Sequence, residues 1–211
     1  MPQPKCKLPK VTERNRLSMI AVGYLMFCLF YLGAPHLASR SPVTVPTLWL
    51  DTLIPFIPLA VWVYLSQFAL LFCAIWYAPN TMTRSIAFYS MLLASASAAL
   101  IFIAFPTILP RYPVEDYGAT ALLWQGLYAV DVPSNCFPSL HAALAVIAVF
   151  PLYRRGDIFK IVAPLWALAI MFAAMATKQH VVLDILGGLV LALPCLMLIT
   201  RYFKKDAYDL A

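Results

Sequence analysis

The sequence predicts an all-α integral membrane protein: a six-helix transmembrane bundle with both termini cytoplasmic. Three observations predict it. Hydrophobic residues make up 63% of the 211, charged residues 11%, and the mean hydropathy is +0.83, a composition of multi-pass membrane proteins and not of soluble cores. The apolar residues fall into runs of roughly membrane-spanning length, about 20 residues each. The basic residues gather at the ends of those runs. If the connections alternate sides, twelve of the 15 Lys and Arg fall on one side and only Arg40, Arg111 and Lys178 on the other, so the positive-inside rule sets both termini in the cytoplasm. The same clustering at span ends argues against a nucleic-acid partner, despite a net charge of +6.

Residues 1–16 carry Lys5, Lys7, Lys10, Arg14 and Arg16 without apolar periodicity and read as a basic cytoplasmic tail; residues 17–211 read as one catalytic membrane domain. Leu17 to Ala34 is too long for the ~7–15-residue apolar core of a secretory signal and is taken as the first span. His36, Arg40 and Asp51 lie in a connection with no recognisable site. A second span is expected from about Thr52 to Tyr77, with Pro55 and Pro58 in its first turns, where proline is tolerated, and with Trp49, Trp62, Trp76 and Tyr77 as interfacial anchors. The third opens at Arg84 and ends near Phe105. Its small residues from Ala94 to Ala99 suit close helix approach.

The one long connection, Thr107 to Phe137, holds Arg111, Glu115, Asp116 and Asp131, and its apolar stretch from Ala119 to Val130 is expected to form a short helix. A connection of this length is usually functional. The fourth span runs from Pro138 to just before Arg154, the fifth follows Lys160, and the sixth ends before Arg201. The five cysteines are odd in number and widely spaced, with no CxxC pair, so neither a disulfide framework nor a zinc site is indicated; they read as packing residues.

Within this apolar chain one polar island stands out. From Ile161 to Thr200 the only formal charges are Lys178 and Asp184. As one helix, that run would extend roughly 60 Å, about twice the hydrocarbon thickness of a bilayer. It must fold back at Lys178-Gln179-His180-Val181-Val182-Leu183-Asp184, which places His180 and Asp184 one helical turn apart on a shared face. A second polar group, Asn135-Cys136-Phe137-Pro138-Ser139-Leu140-His141, falls on the same outward side. A helix start with free first-turn amides is an anion site, Ser139 adds a hydroxyl, and His141 lies beside it. Either group alone reads as an ordinary turn or helix start. Together they bring two of the chain's three histidines to one face, flanked by Arg111 and Lys178.

Two histidines, one paired with a carboxylate, with two cations and a helix start, suit phosphoryl transfer through a phosphohistidine. His180 would attack phosphorus with its tautomer fixed by Asp184. His141 would protonate the departing alcohol and then deprotonate the next nucleophile. Ser139, Lys178 and Arg111 would bind the phosphate oxygens. No metal and no cofactor is called for.

Phe137-Pro138-Ser139-Leu140-His141 with Lys178-Gln179-His180-(three residues)-Asp184 resembles the second and third motifs of the type 2 phosphatidic acid phosphatase superfamily, Pro-Ser-Gly-His and Ser-Arg-(five residues)-His-(three residues)-Asp. The resemblance implies His180 as nucleophile, His141 as acid, Asp184 as its partner, and an outward-facing site acting on lipid phosphates. Leu140 takes the place of the family glycine in the phosphate-binding helix start, Ala173-Ala174 replace Ser-Arg, and Lys178 is left to supply the cation. The first motif survives only as Pro110-Arg111-Tyr112-Pro113. Such departures resemble the branch containing inositol phosphorylceramide synthases. The expected protein is therefore a lipid phosphatase of the bacterial inner membrane, with its site on the extracytoplasmic side. A lipid phosphotransferase acting on a hydroxyl acceptor is the first alternative, and a non-catalytic transporter or lipid-binding protein on the same scaffold is the second.

Overall fold

A computed structural model describes residues 8–114, 118–131 and 133–208 of the chain. Lys5, Cys6, Lys7, Glu115 and Asp116, which the sequence reading places in the tail and the long connection, lie outside the described residues. The elements in order are α1 (Arg16–Leu37), β1 (Val43–Thr44), α2 (Trp49–Leu53), a 3-10 turn (Pro58–Ala60), α3 (Val61–Leu65), α4 (Gln67–Trp76), α5 (Thr81–Ala104), β2 (Thr107–Ile108), α6 (Ala119–Val130), α7 (Leu140–Tyr153), α8 (Asp157–Ala176) and α9 (Val182–Tyr208).

Among the described residues, five helical stretches are long and apolar enough to cross a membrane: Arg16–Leu37, Pro58–Trp76, Thr81–Ala104, Asp157–Ala176 and Val182–Lys205. The expected fourth span, α7, has 14 residues and at ~1.5 Å per residue reaches only ~21 Å of the ~30 Å hydrocarbon core. It is instead the centre of the bundle. Ala142, Ala143, Ala145, Ile147 and Ala148 have no exposed surface. They let α4, α5, α8 and α9 approach closely, as small residues do between membrane helices. One side of α7 joins Ala94, Ala98 and Phe102 of α5 with Ala192 of α9. Another packs Leu70 and Ala74 of α4 with Ala163, Ala167 and Ile170 of α8.

The second expected span is broken. Pro58 opens the span as expected, at the start of the 3-10 turn, but Pro55 does not ride in it; Pro55 follows the end of α2 and separates that short helix from the span. The residue before each proline is driven out of the helical region: Ile54 sits at φ −90°, ψ 113° and Ile57 at φ −121°, ψ 94°. Continuous helix resumes only at the 3-10 turn. The Pro58 carbonyl, which accepts from the Val61 amide, also accepts from Trp124 Nε1 at 3.0 Å, so α6 packs over the break. In contrast, α6 occupies the expected stretch, and α5 is capped by Asn80, whose side chain accepts from the Thr83 amide.

At one end of the bundle the connections are laced together. β1 and β2 pair in parallel, with Val43 opposite Thr107, and Thr107 bridges to Asn135. The Phe137 amide donates to Thr107 Oγ1 at 2.9 Å, and the Phe137-Pro138 peptide is cis. This lacing leads the chain into the start of α7. At the opposite end, residues of the basic tail lie against the bundle. Val11 is fully buried with its amide on Ser85 Oγ at 2.8 Å. Arg84 is also buried, donating to the Ile75 and Ala78 carbonyls at 3.0 Å each, so it caps the end of α4.

Candidate active site

α8 ends in a Schellman motif. The Lys178 amide donates to the Met175 carbonyl and the Gln179 amide to the Ala174 carbonyl, the two bonds that define that stop. The left-handed position, usually glycine, is Lys178 at φ 56°. A lysine held there is strained by ~1–3 kcal/mol, and its side chain does what glycine cannot. The ammonium donates to the Asp51 carbonyl at 3.1 Å and to the Ile54 carbonyl, fastening the α2 segment to the α8–α9 turn.

The same turn delivers His180 and Asp184. His180 Nδ1 lies 3.3 Å from Asp184 Oδ2, and the residues are 5% and 0% exposed. A carboxylate accepts, so the pairing makes Nδ1 the donor and leaves Nε2 outside this bond. Oδ2 also accepts from the Val181 amide at 3.1 Å, the reciprocal arm of a capping box. Asp184 Oδ1 is buried with no hydrogen-bond partner among the described residues, so its negative charge is left for the imidazole to offset.

Asp51 completes this brace, contrary to the sequence reading that its connection holds no site. It is 8% exposed; Oδ1 accepts from the Val182 amide at 2.8 Å and Oδ2 from the Leu48 amide at 2.7 Å. Two carboxylates thus satisfy the first amides of α9, at the positive end of its dipole. Asparagine at 51 can accept with only one of its two terminal atoms. Asp51→Asn is therefore expected to destabilise the protein by about 1–3 kcal/mol, read as a lower thermal midpoint in detergent. An unchanged midpoint would show that the brace contributes nothing.

The second polar group arrives on α7. Ser139 is its N-cap, with Oγ accepting from the Ala142 amide at 3.3 Å; Pro138 therefore precedes the cap and does not open the helix itself. Leu140, the first helical residue, turns its side chain into the core. The two motifs are joined backbone to backbone: the Ser139 amide donates to the Asp184 carbonyl at 2.9 Å. Two glycines permit that approach. A β-carbon on Gly188 would stand 2.3 Å from the Ser139 carbonyl oxygen, and one on Gly187 2.5 Å from the Phe137 ring.

This junction sets the His141 and His180 rings 5.7 Å apart between centroids. His141 also stacks on Tyr64, centroids 4.0 Å apart and rings 23° from parallel. Arg111 donates to the Tyr128 carbonyl at 2.9 Å and lies over that residue's ring at 4.4 Å. Arg111, Lys178 and His180 all line one cleft of about 780 Å³, with Asp51 in the same wall. The structure thus brings His141, Ser139 and Leu140 to one junction with His180 and Asp184, whereas Arg111 and Lys178 share their cleft with His180 and not with His141, which lines an adjoining apolar cleft, or with the fully buried Ser139. Lys178 differs from the open cation expected, since its ammonium already serves two carbonyls.

Asp131, Asn135, Tyr31 and Tyr64 also border the site, and the sequence reading assigned them nothing there. Burial pushes the Asp131 carboxyl up from its ordinary range, while the Tyr31 hydroxyl, His180 and Arg111 pull it back. Cys136 is no nucleophile: burial, with the nearby Asp184 and Asp131, pushes its thiol up to about 12, so it stays protonated at neutral pH.

No curated protein matches the chain. The sequence profile of the PAP2 superfamily, the type 2 phosphatidic acid phosphatases, matches residues 42–198, a span that holds every residue of the site just described except Tyr31. The match reaches the superfamily and lends nothing to the branch of inositol phosphorylceramide synthases. With both motifs joined at one junction and the profile covering most of its length, the chain belongs to the PAP2 superfamily.

Proposed function

We propose that the protein is a membrane lipid phosphatase that cleaves a phosphate ester or diphosphate through a phosphohistidine on His180. Membership of the PAP2 superfamily suggests phosphatase or phosphotransferase activity on lipids, and the several apolar helices suggest a multi-pass membrane protein. The observation that carries the finer reading is the pair of imidazoles 5.7 Å apart, one of them hydrogen-bonded to a buried carboxylate.

In this reading Nε2 of His180 attacks phosphorus, and Asp184 stabilises the cationic ring that results. His141 gives its proton to the departing lipid oxygen. Arg111, the remaining N–H of Lys178 and the start of α7 meet the equatorial phosphate oxygens, where charge must be stabilised. By the positive-inside bias, with α7 counted as a sixth crossing element, both termini are cytoplasmic and the site faces the extracytoplasmic side of a bacterial inner membrane.

The test is chemical trapping. Purified protein mixed with labelled phosphatidate, phosphatidylglycerophosphate, polyprenyl diphosphate or lipid A is expected to retain label that is lost in acid and stable to alkali, the signature of phosphohistidine. Rapid phosphate release with no trapped label, or with acid-stable label, would exclude the mechanism. Failure to turn over any lipid phosphate would favour the non-catalytic scaffold.

A further inference from the structure

The two histidines stand in different clefts. His180 lines the larger one, of about 780 Å³, together with Arg111 and Lys178. His141 lines the adjoining one, of about 360 Å³, a size that suits a small ligand. Its walls include Phe27 of α1, Phe68 of α4 and Leu122, Leu127 and Val130 of α6, and among the described residues that line it there is no lysine or arginine. The one carboxylate among them is Asp131, whose Oδ1 accepts from the Tyr31 hydroxyl at 2.5 Å. α1 is of membrane-spanning length, and Leu122 and Val130 are 68% and 63% exposed, so this cleft opens on the flank of the bundle.

That division constrains which bond can break. A phosphoryl group on His180 has its cations in the same cleft. The leaving group departs on the side of His141, whose ring lies 5.7 Å from that of His180 between centroids, toward hydrocarbon walls and an acidic residue. An uncharged alcohol carrying an alkyl chain fits those walls, because burying apolar surface is favourable. A lipid phosphate does not. It would be the leaving group if the terminal phosphate of a lipid diphosphate were attacked, and its negative charge would find no cation in the apolar cleft. An ion taken out of water without a partner is heavily penalised.

We propose that the apolar cleft receives the hydrocarbon of the leaving alcohol, and that the substrates are for this reason lipid monophosphates and not lipid diphosphates. The proposal rests on the phosphohistidine reading above. In the first half-reaction Nε2 of His180 bonds to phosphorus as the P–O bond to the lipid breaks. The electron pair goes to that oxygen, which takes the proton of His141, and the lipid leaves as an alcohol. Water then attacks phosphorus, the N–P electron pair returns to Nε2, His141 regains a proton, and inorganic phosphate is the second product.

Two matched pairs test this with the wild-type protein: phosphatidate against diacylglycerol diphosphate, and polyprenyl phosphate against polyprenyl diphosphate. For whichever lipid is turned over, kcat/KM for the monophosphate is expected to exceed that for the diphosphate by at least about 100-fold, the low end of the penalty on an unpaired charge out of water. Trimming of a diphosphate to the monophosphate at a comparable rate, with label trapped on His180, overturns this proposal alone. Turnover without any phosphoenzyme, or no turnover of all four lipids, overturns the earlier reading and this one with it. Gly126→Trp tests the cleft itself. Gly126 lines it, and a β-carbon there would meet nothing within 4 Å, so the position has room for a larger side chain. The variant is expected to lower kcat/KM for the preferred monophosphate at least about tenfold, the scale on which an altered apolar pocket discriminates, at an unchanged thermal midpoint. An undiminished kcat/KM would put the hydrocarbon elsewhere and overturn the proposal.

Discussion

Replacing His180 with alanine is expected to lower phosphate release from lipid phosphates by at least about 10⁴-fold, the usual scale when a covalent nucleophile is removed, while leaving the protein folded. The fold survives because the α9 start does not depend on the ring. Asp184 still accepts from the Val181 amide and Asp51 from the Val182 amide. The lost imidazole leaves Asp184 short of one partner, a cost of about 1–3 kcal/mol. His141→Ala separates the roles. A general acid is needed only when the leaving group is a poor one, so an aryl phosphate with an acidic leaving group should restore phosphoenzyme formation to His141→Ala and not to His180→Ala. Substantial turnover by a folded His180→Ala protein, on either substrate, would remove His180 as the nucleophile.

The contrast between what sequence conveyed and what only folding reveals follows the range of the interactions. Periodicity and length are local, and they located α1, α5 and α6 to within a few residues. The reversal at Lys178 was legible because no helix of that length fits a bilayer. The spacing of His180 and Asp184 was legible because i and i+4 side chains meet on any helix. Pro58 was read as a tolerated helix start and is one; the break before it was also written locally but missed, since two prolines three apart impose two extended residues, Ile54 and Ile57, and one helix cannot absorb both. Asp51 was out of reach, since its partner Val182 is 131 positions away and no spacing rule links them. Lys178 was visible as a cation, and nothing nearby indicated that its ammonium would be taken up by the carbonyls of Asp51 and Ile54. The superfamily resemblance rests on the same local motifs. It therefore found the residues at the junction and missed Asp51, Tyr64 and Asp131 around it.

Gly188→Ala is expected to be the most damaging single-methyl change in the protein, in stability and activity together. The added carbon would meet the Ser139 carbonyl oxygen at 2.3 Å and the Ala142 β-carbon at 2.9 Å, and neither is the movable tip of a side chain. Relief requires α9 to back away from the start of α7, and overpacking of this kind costs about 1–3 kcal/mol. The same retreat stretches the 2.9 Å bond from the Ser139 amide to the Asp184 carbonyl, which ties the two motifs together, and so widens the gap between the imidazoles. A displacement of about 1 Å in such a constellation is enough for a roughly 100-fold loss of rate. Gly187→Ala is the control. The three atoms nearest its β-carbon would all belong to the Phe137 ring, at 2.5 Å to Cε2, and a ring edge can turn aside where a backbone carbonyl cannot. The thermal midpoint and the rate of phosphate release should therefore fall much further for position 188 than for position 187. Equal losses at the two positions would mean that close contact between α7 and α9 is not what holds the histidines together.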